Sequence, residues 1–355
     1  MSEDLWTERD TTAARIEAAL RELLTARNAD RGVGAVAPAR VLNLVVIVDG
    51  EYRGEIENRL ERIDRFHPSR TILCAVEGDR RTMDAWANLT FDDTPQRSGH
   101  VAVVRERVEI ELGLRHLESL GTIVGPLLVS DLATLVWAPH GHLDGLRRLR
   151  RLAQIALIDS LDEPELDVAL ERAAELAGDM YVVDLAWLRS TPWRERIAAV
   201  FDPPDWRRRL QQIDTVTVRH RHDSVASAAL LCGWLAARLD WRVHRLSDAP
   251  GGAAGSARAR RGDVALRLEH VEQPGAPGLA GVTVGLASGE SVSLDRGTGG
   301  LREARRARDG TERVWTVLGA SRGEAGILGE GVRQALLRDP AYRPALACAR
   351  GMVER

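Results

Sequence analysis

Two His-x-His pairs, His140-Gly141-His142 and His220-Arg221-His222, are the arrangements in this chain closest to a metal site. Residues two apart on a strand point to one face, so both rings of such a pair could reach one ion. The first pair sits in a Pro/Gly turn and neither has a third ligand at a recognisable spacing, so no metal is expected. The cysteines, Cys74, Cys232 and Cys348, form no C-x-x-C. Cys74 and Cys232 lie in apolar runs and read as small buried hydrophobes. That usage fits a reducing compartment, and a cytoplasmic location is expected. No G-x-S-x-G is present, and no G-x-G-x-x-G follows the first apolar strand. The turn there is Asp49-Gly50-Glu51, and the next strand closes in Glu77-Gly78-Asp79. Those carboxylates repel a pyrophosphate, so no cofactor is expected.

The sequence contains no lysine, so all 49 basic residues are arginine. This removes the phosphate-loop lysine, Schiff-base chemistry and the kinase strand lysine. Arginine stays protonated and cannot stand in as an amine nucleophile. A GC-rich codon bias accounts for the substitution without a functional cause. The net charge of −3 argues against a general nucleic-acid binder. The basic runs 147–151, 207–209, 258–261 and 302–308 read as solvated faces or loops. No run approaches the roughly 18 apolar residues of a bilayer span, so no membrane contact is expected.

Binding composition concentrates between Asp184 and Arg196. Trp187 and Trp193, two of nine tryptophans, lie six residues apart among Arg189, Arg194 and Arg196. Trp and Arg dominate interaction hot spots, and neither is a general acid or base near neutral pH. On an unbroken helix the two indoles point about 120° apart. Core packing is the competing reading. Pro192 should kink or reset the helix, leaving one indole packed inward and the other free to face out. His67-Pro68-Ser69-Arg70 is a second candidate, with His67 and Arg70 as an anion or partner contact. It precedes its strand, whereas ligands of open α/β sheets favour the carboxyl ends, so a structural role is favoured for it.

These residues need a scaffold. A helix is expected over 11–27, begun by Thr11 or Thr12, then a buried strand over 40–49 and a helix over 51–66 with Tyr52, Ile56, Leu60 and Ile63 in its stripe. A strand over 71–76 completes a parallel strand–helix–strand unit. Strands over 101–112 and 134–137 follow, with 147–156 open between helix and strand. The second half reads as helices over 166–176 and 184–201, the latter capped by Asp184, a strand over 214–220, and a helix over 224–239 capped by Asp223. A strand over 241–246, a mobile loop over 250–262 and an antiparallel meander come next, then a helix over 323–338 and a loose tail. The fold class is α/β: a mostly parallel N-terminal sheet with covering helices over 1–162, and a C-terminal α+β domain with an antiparallel meander over 163–355.

In order along the chain, the Thr11-Thr12 helix start, Arg40 to Val46, His67-Pro68-Ser69-Arg70, Pro126-Leu127-Leu128, Val136-Trp137-Ala138-Pro139, Asp184-Leu185-Ala186-Trp187 with Trp193-Arg194, and Gly233-Trp234-Leu235-Ala236 with Arg238-Leu239 resemble the OpcA family, the glucose-6-phosphate dehydrogenase assembly proteins. The resemblance implies a non-catalytic partner that promotes the active oligomer of glucose-6-phosphate dehydrogenase and so supports NADPH supply. Asp184, Trp187, Trp193, Arg194, His67 and Arg70 are then the candidate partner-binding residues. Self-association stays open beside it. The alternative is a sugar-phosphate- or nucleotide-binding α/β enzyme that uses its arginine clusters for phosphate.

Overall fold

The computed structural model describes residues 2–30, 40–64, 68–91, 104–272, 277–318 and 323–354. The backbone divides into two units. One takes Met1–Ile158, Asp179–Val183 and Val332–Leu336; the other takes Asp159–Gly178, Asp184–Gly331 and Leu337–Arg355.

In the first unit β1 (Ser2–Glu8) precedes α1 (Ala13–Asp30). Thr12 starts that helix, its Oγ1 accepting from the Arg15 amide at 3.4 Å. β2 (Leu42–Asp49) is buried nearly end to end, as a run of apolar β-formers on a sheet's central strand should be. Tyr52 lies in a tight turn before α2 (Arg53–Asp64) and is 36% exposed, so it is not part of the buried stripe that Ile56 and Leu60 form. β3 (Ser69–Glu77), β4 (Asp84–Phe91) and β5 (Val104–Gly113) follow, then α3 (Leu120–Val124), β6 (Thr134–Trp137), α4 (Leu143–Arg148) and β7 (Ile155–Ile158). The chain builds α5 (Leu166–Asp179), nearly all of it in the second unit, and returns as β8 (Tyr181–Asp184). The strand order is β1-β4-β5-β3-β2-β6-β7-β8. The pairs from β5 through β7 are parallel, and β1 and β4 are antiparallel additions at one edge. Buried Asn43 on β2 explains how the segment before β6 is held. Its Nδ2 donates to the Val129 carbonyl at 3.0 Å and its Oδ1 accepts from the Val129 amide at 3.0 Å.

The second unit starts from α6 (Leu185–Arg189), α7 (Thr191–Phe201) and α8 (Pro204–Arg207). β9 (Ile213–His220) leads into α9 (Val225–Leu239). β10 (Arg242–Val243), β11 (Ser247–Ala249), β12 (Gly252–Ala259), β13 (Gly262–His270), β14 (Leu279–Leu286), β15 (Ser291–Gly297), β16 (Gly300–Arg306) and β17 (Glu312–Leu318) complete a nine-stranded sheet. Its order is β10-β12-β13-β9-β14-β15-β16-β17, with β11 beside β12. Only the β9–β13 pairing is parallel; β14 to β17 form an antiparallel meander, whereas β13, whose residues 264–270 were expected to open it, pairs with β12 and β9 instead. α10 (Gly323–Leu337) and α11 (Tyr342–Gly351) close the chain.

Several expectations for this half need correction. The Gly/Ala/Arg stretch expected as a loop is strand β12, paired with β13 along its whole length. The expected loose tail is α11, which packs on α9 and buries Tyr342, Ala345, Leu346 and Ala349. The strand expected over 241–246 is only the two residues of β10. Asp223 does not cap α9; it accepts a hydrogen bond from the Ser224 hydroxyl at 2.8 Å, and Ser224 is the residue at the cap position. The contact between α9 and α11 is tight because of Gly233. A Cβ there would lie 2.2 Å from the Ala345 carbonyl oxygen, so only glycine admits this approach.

Candidate functional site

The segment from Asp184 to Arg194 folds as two short helices because Ser190 and Pro192 break it. Asp184 caps α6, accepting from the Ala186 amide at 2.9 Å, and Pro192 occupies the first turn of α7, where its missing N–H does no harm. The break turns both indoles inward. Trp187 and Trp193 are each only 2% exposed, which corrects the expectation that one faces out. The Trp187 indole N–H donates to Asp339 at 2.9 Å, and its ring meets Tyr342 edge-on with centroids 5.7 Å apart. The Arg194 guanidinium lies 3.5 Å from the centre of the Trp187 ring. It donates to Ser190 at 3.0 Å and Thr191 at 2.8 Å, and sits 3.7 Å from Asp339. Burial pushes Arg194 down to about 10 against the pull of Asp339, so it remains a cation near neutrality.

Asp184 lies at the centre of a buried polar network. It accepts from the Ser160 amide at 3.1 Å, the Ser160 hydroxyl at 2.7 Å and the Tyr342 hydroxyl at 3.1 Å. Burial pushes its carboxyl up to about 6, although Ser160 and Ala186 donate to it. Nearby, Arg189 forms a two-pronged pair with Asp159 at 2.8 and 2.7 Å. Each of these groups finds its partner inside the second unit. Asp184, Trp187, Trp193 and Arg194 are therefore brought together, but as an interior cluster with little surface of its own. Sequence reasoning missed Ser160, Asp339 and Tyr342. Asp339 did carry a signal, since an Asp-Pro just before a helix suits a cap, and it accepts from the Ala341 amide at 2.8 Å.

The other pair of candidates belongs to the first unit. His67 lies outside the described residues. Arg70 is 11% exposed at its side chain and pairs with Glu106 at 2.8 Å. It also donates to the Leu127 carbonyl at 3.0 Å. Arg40 holds the same carboxylate. Glu106 sits on the inward face of β5, in line with Val108, Ile110 and Leu112. Burial raises its carboxyl and the hydrogen bonds from Arg40 and Arg70 outweigh that, leaving it below its ordinary value. Arg70 thus neutralises a buried charge within the fold.

β2 and β6 are neighbours whose onward connections leave in opposite directions across the sheet, a switch point where open α/β folds place ligands. The residues at their carboxyl ends are Asp49 and the turn 140–142, with His140, Gly141 and His142 all at positive φ. That backbone separates the two rings. His142 meets Asp49 at 2.7 Å, whereas His140 stacks on Tyr52 at 4.5 Å and lies 3.7 Å from Glu55. In the second His-x-His pair, His220 is buried with its Nε2 unpartnered and its Nδ1 2.6 Å from the Arg221 carbonyl, while His222 packs on His270. Among the described residues, no group of three or more His, Cys, Asp or Glu is placed to hold a metal ion. A cavity of about 620 Å³ is lined by Asp144, Arg147, Arg148, Arg150 and Arg151, a run expected only as a solvated face. No helix among the described residues is long and apolar enough to cross a membrane.

Two family models match consecutive parts of the chain, and both describe a glucose-6-phosphate dehydrogenase subunit. The model of its N-terminal domain matches residues 60–175, and the model of its C-terminal domain matches residues 180–346. The chain belongs to the OpcA family. Among curated members, the "Putative OxPP cycle protein OpcA" of Synechocystis sp. is 31% identical over 140 residues, 38% of this chain and 29% of that protein. Its Nostoc punctiforme namesake is 35% identical over 132 residues, 36% and 28%. The Synechococcus elongatus one is 28% identical over 183 residues, 50% and 40%. The chain therefore matches well under half the length of these OpcA relatives. Among solved structures, a super-repressor mutant of Gal80p from Saccharomyces cerevisiae aligns over 87% of this chain and 94% of its own, at 8% identity and a TM-score of 0.45. An oxidoreductase domain protein from Kribbella flavida aligns over 88% and 95%, at 12% and 0.44. Likeness at that level carries no argument about activity.

Proposed function

We propose that this chain binds glucose-6-phosphate dehydrogenase and promotes the enzyme's active oligomer without catalysing a reaction itself. The carrying observation is the match of both halves, in order, to the two domains of a family described by that dehydrogenase. The geometry supports a binding role. The polar side chains of the 184–194 cluster satisfy one another in the interior, and the acidic switch-point turn suits no pyrophosphate. In this reading Asp184, Trp187, Trp193 and Arg194 fix the shape of the second unit, and exposed neighbours meet the enzyme. An activator of this kind works by binding one state of the enzyme more tightly than another.

Mixing the purified chain with the dehydrogenase of the same organism tests the reading. Light scattering should show a complex heavier than either protein, and the rate at limiting glucose 6-phosphate should change. Unchanged mass and rate would overturn it. The arginine-lined cavity favours a second reading, a site for a phosphorylated small molecule. Melting the chain alone with phosphorylated sugars and nucleotides separates the two: a rise in Tm supports the cavity, and a flat set removes it.

A further inference from the structure

β17 is the last strand of the second sheet, and its outer edge pairs with no strand among the described residues. Residues 311–316 are exposed without interruption, with Val314 at 45% and Trp315 at 38%. An open edge presents unpaired N–H and C=O groups and is a template for another strand. Natural edges are usually blunted by proline, a bulge, charged side chains or short length. β17 has no proline and no bulge, and its charges are Glu312 and Arg313. It runs for seven residues, and its register with β16 is unbroken from Gly300–Leu318 to Arg306–Glu312.

The side chains identify what fits there. Arg313 stands directly opposite Arg305 of β16, a like-charge pairing. Arg305 is satisfied elsewhere, by Glu303 at 2.8 Å and by the rings of Trp206 at 5.0 Å and Trp315 at 5.1 Å. Among the described residues Arg313 has no ion-pair or ring partner. So one face of the edge carries an unanswered cation and, two residues on, an exposed indole. The same sequence run backwards answers both. An antiparallel pairing with its two-fold axis at Val314 sets Arg313 opposite the second copy's Trp315, and Trp315 opposite its Arg313. Val314 then meets Val314 and Glu312 meets Thr316 on the other face. This gives two cation–π pairs and one apolar pair with no like charges opposed. Moving the axis to Arg313 would oppose the two cations, and moving it to Trp315 would leave Arg313 facing Val317.

We propose that two copies of this chain pair edge to edge through β17, antiparallel about Val314, joining their second sheets into one. The inference stands apart from the dehydrogenase reading. The test is sedimentation velocity on the full chain over a concentration series, beside Val314→Lys, which places two cations across the axis at an exposed position. The expected result is a dimer that Val314→Lys weakens by about tenfold or more with an unchanged Tm. A chain that stays monomeric, or a Val314→Lys dimer as tight as the parent, overturns it. Should the variant fold poorly, hydrogen exchange on the unmodified chain decides. Amides of 312–318 slowing as concentration rises support the pairing. Unchanged exchange, or slowing only when the dehydrogenase is added, overturns it.

Discussion

Asp184 is buried and accepts several hydrogen bonds, and yet its proton is held more tightly than in an unfolded chain, because desolvation outweighs the donors. The sign for stability follows from linkage. With the folded value near 6 and the unfolded value near 4, the native state binds more protons between them. The stabilisation from Asp184 is full below about pH 4 and is lost as the pH rises through about 6. Glu106 acts oppositely: its lowered carboxyl contributes above its unfolded value and loses that contribution as the pH falls. Asp184→Asn removes the titration and keeps the shape. The Tm of the variant relative to the parent should therefore rise between pH 4 and pH 7. Parallel melting curves across that range would show that Asp184 does not titrate there. At this scale the sequence showed where Trp and Arg concentrate, and it gave the wrong orientation for one of the two indoles. The offset between Trp187 and Trp193 assumes one helix, whereas the chain breaks at Ser190 and Pro192 into two helices and both rings are buried.

At the scale of elements, α9 and α11 depend on a missing side chain. Gly233→Val drives a branched Cβ into the Ala345 carbonyl and should cost about 1–3 kcal/mol by overpacking. Gly329→Ala in α10, where a Cβ meets nothing within 4 Å, should instead stabilise by about 0.5–1 kcal/mol. Urea midpoints measured side by side check the contrast; equal shifts would contradict it. Long apolar elements were legible in the sequence. β2, β3 and α9 are continuous runs that only a buried element tolerates. The missed ones lack that signal for physical reasons. β12 reads Gly-Ala-Ala-Gly-Ser-Ala-Arg-Ala and is a strand by virtue of its pairing partners, not its propensity. β8 is four residues long, and β16 hides its alternation among arginines. α11 was readable and was overlooked: Tyr342, Ala345, Leu346 and Ala349 fall at helical spacing on one buried face. For Glu106 and Asp339 no pattern names the partner, because Arg40, Arg70, Trp187 and Arg194 come from distant parts of the chain.

For the whole molecule, the path of the chain matters more than any one contact. The first sheet is not finished at Ile158; β8 returns to flank β7 after α5 has been built in the other unit, and the Tyr181 amide donates to the Gln154 carbonyl at 3.0 Å. A fragment ending at Ile158 would leave the buried strand Ile155–Ile158 as a bare apolar edge. It should aggregate, whereas a fragment ending at Asp184 should give more soluble monomer by size-exclusion chromatography. Equal yields would show that β8 does not protect that edge.

The same path sets a schedule during synthesis. A ribosome adding about 5–20 residues per second exposes the β7 edge for a few seconds before β8 emerges. Through that interval the newborn first unit is a ready target for chaperones, and a slow stretch of message between Asp159 and Asp184 would lengthen the wait.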